Sequence, residues 1–192
     1  MMGAVFESFS PPSINRAEIY RYLRSHYDED IDALIDSVIE EATELTYLVS
    51  YVITDVAFDG ERVIFGKVEV ESEDLRRCLS GCKKAVIFAA TIGTSIDRLI
   101  GKYSRLKPSR ALVFQAYGAE RIEALCDMLC DQLGSELNMK VGPRFSAGYG
   151  DLSLEFQRDV FDLLSCGRIG LTLNESLSMS PSKSVTAIAG LK

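Results

Sequence analysis

The sequence contains a single histidine, His26, in the segment Ser25–Asp30. A serine–histidine–carboxylate triad or a histidine-rich metal site needs more than one isolated imidazole can supply. His26 has no partner motif and reads as an ordinary surface residue. Nucleotide-cradling glycine loops are missing as well. There is no P-loop and no GxGxxG, and Thr91–Thr94 reads as a strand–turn–helix with one glycine, a weak phosphate signal. Long apolar runs are also absent. The longest, Ala85–Ala90, is strand-sized, far short of the roughly 20 residues that span a bilayer. The first residues, MMGAVFESFSPPS, carry Glu7 and no basic region, which argues against a signal peptide or anchor. Nor is there an excess of positive charge: 21 basic residues stand against 28 acidic, a formal charge of -7. A general nucleic-acid binder needs a basic face. The expectation is a soluble, cytoplasmic protein with neither nucleic acid nor membrane as partner.

Five cysteines, an odd number, point to reduced thiols. Cys78 and Cys82 are spaced CxxxC, as are Cys126 and Cys130, and such pairs invite a metal or iron–sulfur reading. Core packing is favoured for the second pair, because Ile122, Leu125, Cys126, Leu129, Cys130 and Leu133 share one helical face. No metal ligand set is assigned.

The periodicities predict an α+β single domain, residues 14–192, behind an extended arm at 1–13. Its sheet is antiparallel or mixed, flanked by long helices. Asn15 is a good N-cap for a short first helix. Apolar residues from Ile31 to Val49 recur at helical spacing and predict a long second helix. A hairpin follows, Val49–Phe58 and Arg62–Val70, with Asp59–Gly60 as its turn. Ser72 with Glu73 and Asp74 opens a further helix, Lys84–Thr91 is a buried strand, and Thr94 with Asp97 is a capping signal. Pro108 starts the longest helix, which runs to about Leu137. Beyond it, Leu154–Leu164 is helical, and Ile169–Leu173 and Ser184–Leu191 are strands.

Chemistry could reside in two places. Glu120, Glu123, Asp127 and Asp131 form an acidic stripe on the longest helix, suited to a cationic ligand such as a sulfonium. A solvated helix face is the favoured reading of that stripe. Gly142–Gly150 combines glycines, which allow close backbone approach, with Arg144, whose planar fork suits a carboxylate, and the amphipathic ring of Tyr149. A tight structural turn explains the same composition equally well.

Arg144–Asp151, RFSAGYGD, resembles the Arg-Pro-x-x-Gly-Tyr signature of the activation (reactivation) domain of cobalamin-dependent methionine synthase. The later pattern E-S-x-x-M-x-P-x-x-S-V is carried by Glu175, Ser176, Met179, Pro181, Ser184 and Val185. Two patterns in the right order are more specific than either alone, and the likeness extends from about Pro108 onward. Ala89–Ile100 is similar to small stand-alone relatives. Phe145, Ala147 and Gly150 stand where the full-length enzymes usually carry proline.

The resemblance implies a domain that binds S-adenosylmethionine and presents its methyl group to cobalamin. Flavodoxin or another reductant supplies an electron, and methyl transfer traps the reduced cobalt. No general acid or base is required, so no catalytic residue is assigned. The implied ligand residues are Glu123, Arg144, Ser146, Gly148 and Tyr149. Arg144 would hold the carboxylate, the backbone at Ser146 and the ring of Tyr149 would line the adenosyl side, and Glu123 would be the ligand-side acid. No cobalamin-binding D-x-H-x-x-G occurs. Cobalamin is therefore expected only through a partner, a corrinoid-binding methyltransferase or methionine synthase lacking this domain. The chain would then be one component of a methionine synthase (methyltransferase) system serving methionine biosynthesis. The alternatives are a non-catalytic docking subunit of a corrinoid methyltransferase, or a sensor of S-adenosylmethionine.

Overall fold

The computed structural model describes residues 3–192. In chain order the elements are β1 (Val5–Ser8), α1 (Arg16–Leu23), α2 (Glu29–Glu41), β2 (Leu48–Asp55), β3 (Ala57–Asp59), β4 (Arg62–Phe65) and β5 (Val68–Glu71). Then come α3 (Glu73–Cys78), β6 (Lys84–Thr91), α4 (Ser95–Leu106), α5 (Pro108–Leu137), β7 (Val141–Phe145) and α6 (Phe156–Leu164). A 3-10 turn (Cys166–Ile169), β8 (Thr172–Leu173), β9 (Met179–Ser180) and β10 (Ser184–Leu191) complete them.

The fold is α+β, built on an antiparallel sheet of order β1-β2-β6-β10-β7. The apolar run of β6 reflects burial on both faces. Val86, Phe88 and Ala90 point into a core shared with α1, α2, α4 and α5. Ala85, Ile87 and Ala89 point the other way, into a core shared with α3, α6 and β4. β7 occupies the sheet edge and is paired only with β10, some forty residues later, with Arg144 opposite Ala189 and Phe145 opposite Ile188.

Two expected caps form. The Asn15 side chain accepts from the Glu18 N–H, and the Ser72 hydroxyl accepts from the Leu75 N–H. A third does not. Thr94, itself in helical conformation, makes no side-chain cap, and the Asp97 carboxylate is turned toward the Ser182 N–H at 2.8 Å and the Ser182 hydroxyl. The second helix stops at Glu41, well short of Val49. Leu45 and Val49 continue the helical rhythm by coincidence, and the run Leu48–Thr54, rich in β-branched residues, goes into β2 instead.

The expected hairpin also divides. β2 joins the large sheet, while β3, β4 and β5 form a separate sheet whose first turn centres on Gly60 and Glu61, with Asp59 opposite Arg62. Gly60 has φ +60°, the conformation such a turn requires. Within the segment expected as an extended arm, Val5–Ser8 pairs with β2 as the other edge strand. Ile169, expected to begin a strand, ends the 3-10 turn. Among the described residues, no helix is long and apolar enough to cross a membrane.

Glu41, at the end of α2, joins three helices. Its carboxylate accepts from Lys102 Nζ at 2.9 Å, the Tyr103 hydroxyl at 2.8 Å and Arg110 at 2.7 Å. Desolvation raises its pKa, but the Lys102, Arg110 and Tyr103 donors outweigh it and hold the group at about 2. A carboxyl depressed in the fold stabilises it above the unfolded-state pKa, and that stability disappears as pH falls toward the folded value. Glu41→Gln is expected to cost about 1 kcal/mol at pH 6, given the partly solvated setting. That corresponds to about 2–4 °C in melting temperature for a chain of this size. Melting curves from pH 6 to pH 2 should show the gap between wild type and variant closing over the acid limb. A gap independent of pH would assign the loss to packing.

Candidate ligand cleft

Alternation along β7 sends Phe145 into the core beside α6 and turns Arg144 toward α5. On α5, steps of three and four residues align Glu120, Glu123, Asp127 and Asp131 along one side. The two elements meet at Arg144. One terminal nitrogen donates to Glu123 Oε2 at 2.5 Å and the other to Asp127 Oδ1 at 2.6 Å. The guanidinium is three-quarters covered, whereas Asp127 is mostly exposed.

Arg144 stands where two clefts adjoin. The larger, about 620 Å3, lies between α1 and α5, with Pro12, Ser13 and Asn15 as part of its wall and Tyr22, Ala124 and Met128 as its apolar lining. The second, about 550 Å3, runs along Cys130, Gly134 and the β7 backbone from Val141 to Arg144. In the larger cleft five carboxylates (Glu18, Glu120, Glu123, Asp127 and Asp131) face two guanidiniums, Arg21 and Arg144.

Contrary to the expected solvated stripe, Glu120 is buried. Its residue is 2% exposed and its immediate neighbour Arg121 only 1%. Arg121 donates through Nε to Glu120 Oε2 at 2.6 Å and through Nη2 to Oε1 at 2.5 Å. The same guanidinium donates to the carbonyls of Pro12 (2.6 Å) and Ser13 (2.8 Å). Glu120 in turn accepts the Asn15 N–H at 2.9 Å. This buried pair fixes the cleft wall formed by residues 12–15 onto α5. The signal in the sequence is Arg121 itself, which falls four residues from Tyr117 and four from Leu125, inside the buried stripe. Further along the acidic stripe, Asp127 and Asp131 are exposed and Glu123 is half-buried.

Of the five residues the resemblance singles out, Glu123 and Arg144 are in direct contact, and Ser146, Gly148 and Tyr149 lie outside both clefts. The Ser146 hydroxyl donates to the Thr186 carbonyl at 2.7 Å, tying the end of β7 to β10. Gly148 has φ +83° and donates its N–H to the Leu152 carbonyl at 2.8 Å, closing the loop on itself. Tyr149 stacks edge-on against Phe145 at 5.5 Å between centroids, and its residue is 69% exposed. Asp151 anchors the loop to the start of α3. Its carboxylate accepts from the Ser72 hydroxyl, the Glu73 N–H at 2.7 Å and the Asp74 N–H at 3.3 Å. Chiefly the Ser72 bond, aided by the two backbone donors, holds the Asp151 pKa below its usual range.

Sequence reasoning singled out Arg144 and Glu123, which the structure brings into contact, but did not anticipate Asp127 as the second acid on Arg144 or α1 beside it. Of the cysteines, Cys130 lines the second cleft. Cys82, Cys126 and Cys166 are buried, and burial pushes the Cys126 thiol upward and that of Cys166 to about 12. Among the described residues, no group of three or more His, Cys, Asp or Glu side chains is arranged to hold a metal ion.

No protein-family model and no curated protein matches this sequence. Among solved structures, it is similar to the crystal structure of the MetH reactivation domain bound to AdoHcy. The TM-score is 0.73 at 13% identity, over 98% of this chain and 78% of that one. The chain has the fold of the MetH reactivation domain. The resemblance first carried by Arg144–Asp151 and Glu175–Val185 is thus met in the fold. The reactivation-domain fold also covers the first hundred residues, where the sequence likeness is loose.

Proposed function

We propose that the chain binds S-adenosylmethionine in the cleft between α1 and α5. From there it supports reductive methylation of a corrinoid carried by a separate polypeptide, a methionine synthase or corrinoid methyltransferase without this domain. The observation that carries the reading is Arg144, held by Glu123 and Asp127 at the meeting point of two clefts. The solved neighbour with this fold holds AdoHcy, which supports the same class of ligand here. The chemistry of the lining fits such a ligand. A guanidinium fork meets an amino-acid carboxylate with two parallel bonds, and the excess of acids suits an ammonium and a sulfonium. The cleft volume of about 620 Å3 lies in the usual range of roughly 300–1,000 Å3 for small-molecule sites.

Bound there, S-adenosylmethionine supplies an electrophilic methyl group and the partner's corrinoid supplies the nucleophile. The chain's own residues bind and orient. Arg144 fixes the amino-acid end, Glu123 and Asp127 hold its positive charge, and Tyr22 and Met128 cover the apolar portion. The rim at Asp127 and Asp131 remains open, which leaves the sulfonium side accessible to a second protein. Tyr149 and Leu154, 69% and 44% exposed, stand on the loop after β7 as contacts for that partner. Flavodoxin or another reductant would act on the partner, not on this chain.

The acid excess sets a preference between two ligands of the same shape. S-adenosylmethionine carries one more positive charge than AdoHcy. An added charge pair at a partly solvated site is worth about 0.2–1 kcal/mol, and two acids contribute here. Calorimetric titration is expected to give tighter binding of S-adenosylmethionine by about 2- to 30-fold, the sum of two such pairs. The margin should narrow as salt is raised from 0.05 to 0.5 M, conditions chosen to span the strong change in screening length. Binding of neither ligand would refute the proposal and leave the docking-subunit alternative.

A further inference from the structure

The face that α5 turns toward α1 changes character along its length. From Glu120 to Asp131 it carries the acids of the larger cleft. Before Glu120 it carries no charge. Leu112, Gln115, Ala116 and Ala119 form one side of a groove of about 260 Å3, with Tyr22 and Leu23 of α1 on the other. Tyr22 lines both the groove and the larger cleft, so the two adjoin at its side chain. Leu112 is 64% exposed, an aliphatic side chain left uncovered on an apolar wall.

Basic residues gather at this end of the helix. Arg98–Arg110 holds five bases and no acid, in a chain of net charge -7. Arg98 is paired with Glu44, and Lys102 and Arg110 with Glu41. Among the described residues, Arg105 and Lys107 make no ion pair; both are exposed, and Leu106 between them is 67% exposed. Lys107 directly precedes α5, little more than a turn before Leu112. Lys183 closes the groove from the side of β10, and its stem lies across α5 at Gly118, where an added Cβ would stand 3.1 Å from Lys183 Cγ. It too has no ion-pair partner among the described residues. A surface acidic at one end and basic at the other admits a complementary protein in one orientation.

We propose that the groove and its basic corner dock the corrinoid-carrying polypeptide, through an acidic segment of that partner whose aliphatic side chain seats against Leu112. The proposal rests on the S-adenosylmethionine reading, which requires a second protein over the larger cleft. At 1.5 Å of rise per residue, Leu112 stands about 22 Å from Asp127 along α5. An interface of ordinary size covers about 800 Å2 on each partner, a disc roughly 30 Å across. A protein seated over the cleft therefore reaches the groove as well. Its acids meet Lys183, Arg105 and Lys107, while Glu123 and Asp127 repel them from the ligand end and so set the orientation.

The test uses the full chain and a stand-in for the partner: a labelled amphipathic peptide of glutamate and leucine, about 15 residues long so that it can hold a helix. Fluorescence anisotropy is expected to show saturable binding that weakens as salt is raised from 0.05 to 0.5 M, across the strong change in screening length. Leu112→Asp should weaken it by about 10-fold or more, the worth of one buried leucine side chain. Lys183→Glu should weaken it by roughly 2- to 5-fold, the range of a solvated ion pair. Leu137→Asp is the control, an exposed leucine at the far end of α5, and should change nothing. Leu112→Asp and Lys183→Glu should keep wild-type melting curves and wild-type affinity for S-adenosylmethionine. No saturable peptide binding, or equal losses in Leu112→Asp and Leu137→Asp, would overturn the docking site and leave the ligand reading standing. Failure of the wild type to bind S-adenosylmethionine would overturn both.

Discussion

Arg144→Ala is expected to weaken S-adenosylmethionine binding by about 10- to 150-fold, corresponding to roughly 1.5–3 kcal/mol for hydrogen bonds to a charged group. The fold should survive. The contacts of Arg144 with Glu123 and Asp127 are partly solvated, and such pairs contribute about 0.2–1 kcal/mol each. Arg144→Lys keeps the charge but not the fork, so it should recover only part of the affinity. The ion pairs also mean that a ligand carboxylate must share the guanidinium with two acids. Glu123→Gln therefore relieves one competitor at Arg144 while weakening the hold on the ligand's ammonium, and its net effect should be smaller than that of Arg144→Ala. Titration calorimetry beside a melting curve separates loss of binding from loss of structure. Unchanged affinity in a well-folded Arg144→Ala protein would remove the ligand from this cleft.

The largest loss of stability is expected at the buried pair. Arg121→Met leaves the Glu120 carboxylate, 2% exposed as a residue, with the Asn15 N–H as its remaining donor. Removing one member of a buried pair costs about 3–5 kcal/mol, because the other charge stays desolvated and uncompensated. The melting temperature should fall by about 6–20 °C on the scale of roughly 2–4 °C per kcal/mol. The double substitution carries the signature. A second change, Glu120→Leu, removes the orphaned charge and should restore part of the stability, so the two substitutions are not additive. A loss unrelieved by Glu120→Leu would assign the effect to the Pro12 and Ser13 carbonyls alone.

These two sites were unequally visible in the sequence. Arg144 lies among glycines in a compact motif, and the adjacent loop is organised by neighbours close in the chain, so local reading singled it out. The acidic stripe was seen as a stripe, but its members have different surroundings. Glu120 is buried by a segment more than a hundred residues earlier, an encounter that periodicity cannot encode. The same holds for α1 as a cleft wall. For the fold, β6 and α5 were legible because long single-type runs leave little choice of element. The boundary between α2 and β2 was not, since Leu45 and Val49 satisfy helical spacing and strand propensity at once. Asp97 is a comparable case: its position suited a local cap, but Ser182, brought in by the chain approaching β10, offered it two donors.

The place of β7 in the sheet has a consequence for how the molecule is made. Among the described residues, the strand that carries Arg144 hydrogen-bonds to β10 and to no other strand. As the chain leaves the ribosome, β6 can join β2 and α5 can begin to cover them, but β7 has nothing to pair with until residues 184–191 emerge. The guanidinium and the acids of α5 are therefore synthesised early and brought into register late, at the cost in folding speed that sequence-distant strand pairing carries. A nascent chain halted before β10 would hold every residue of the cleft, with its arginine not yet carried to the acids of α5.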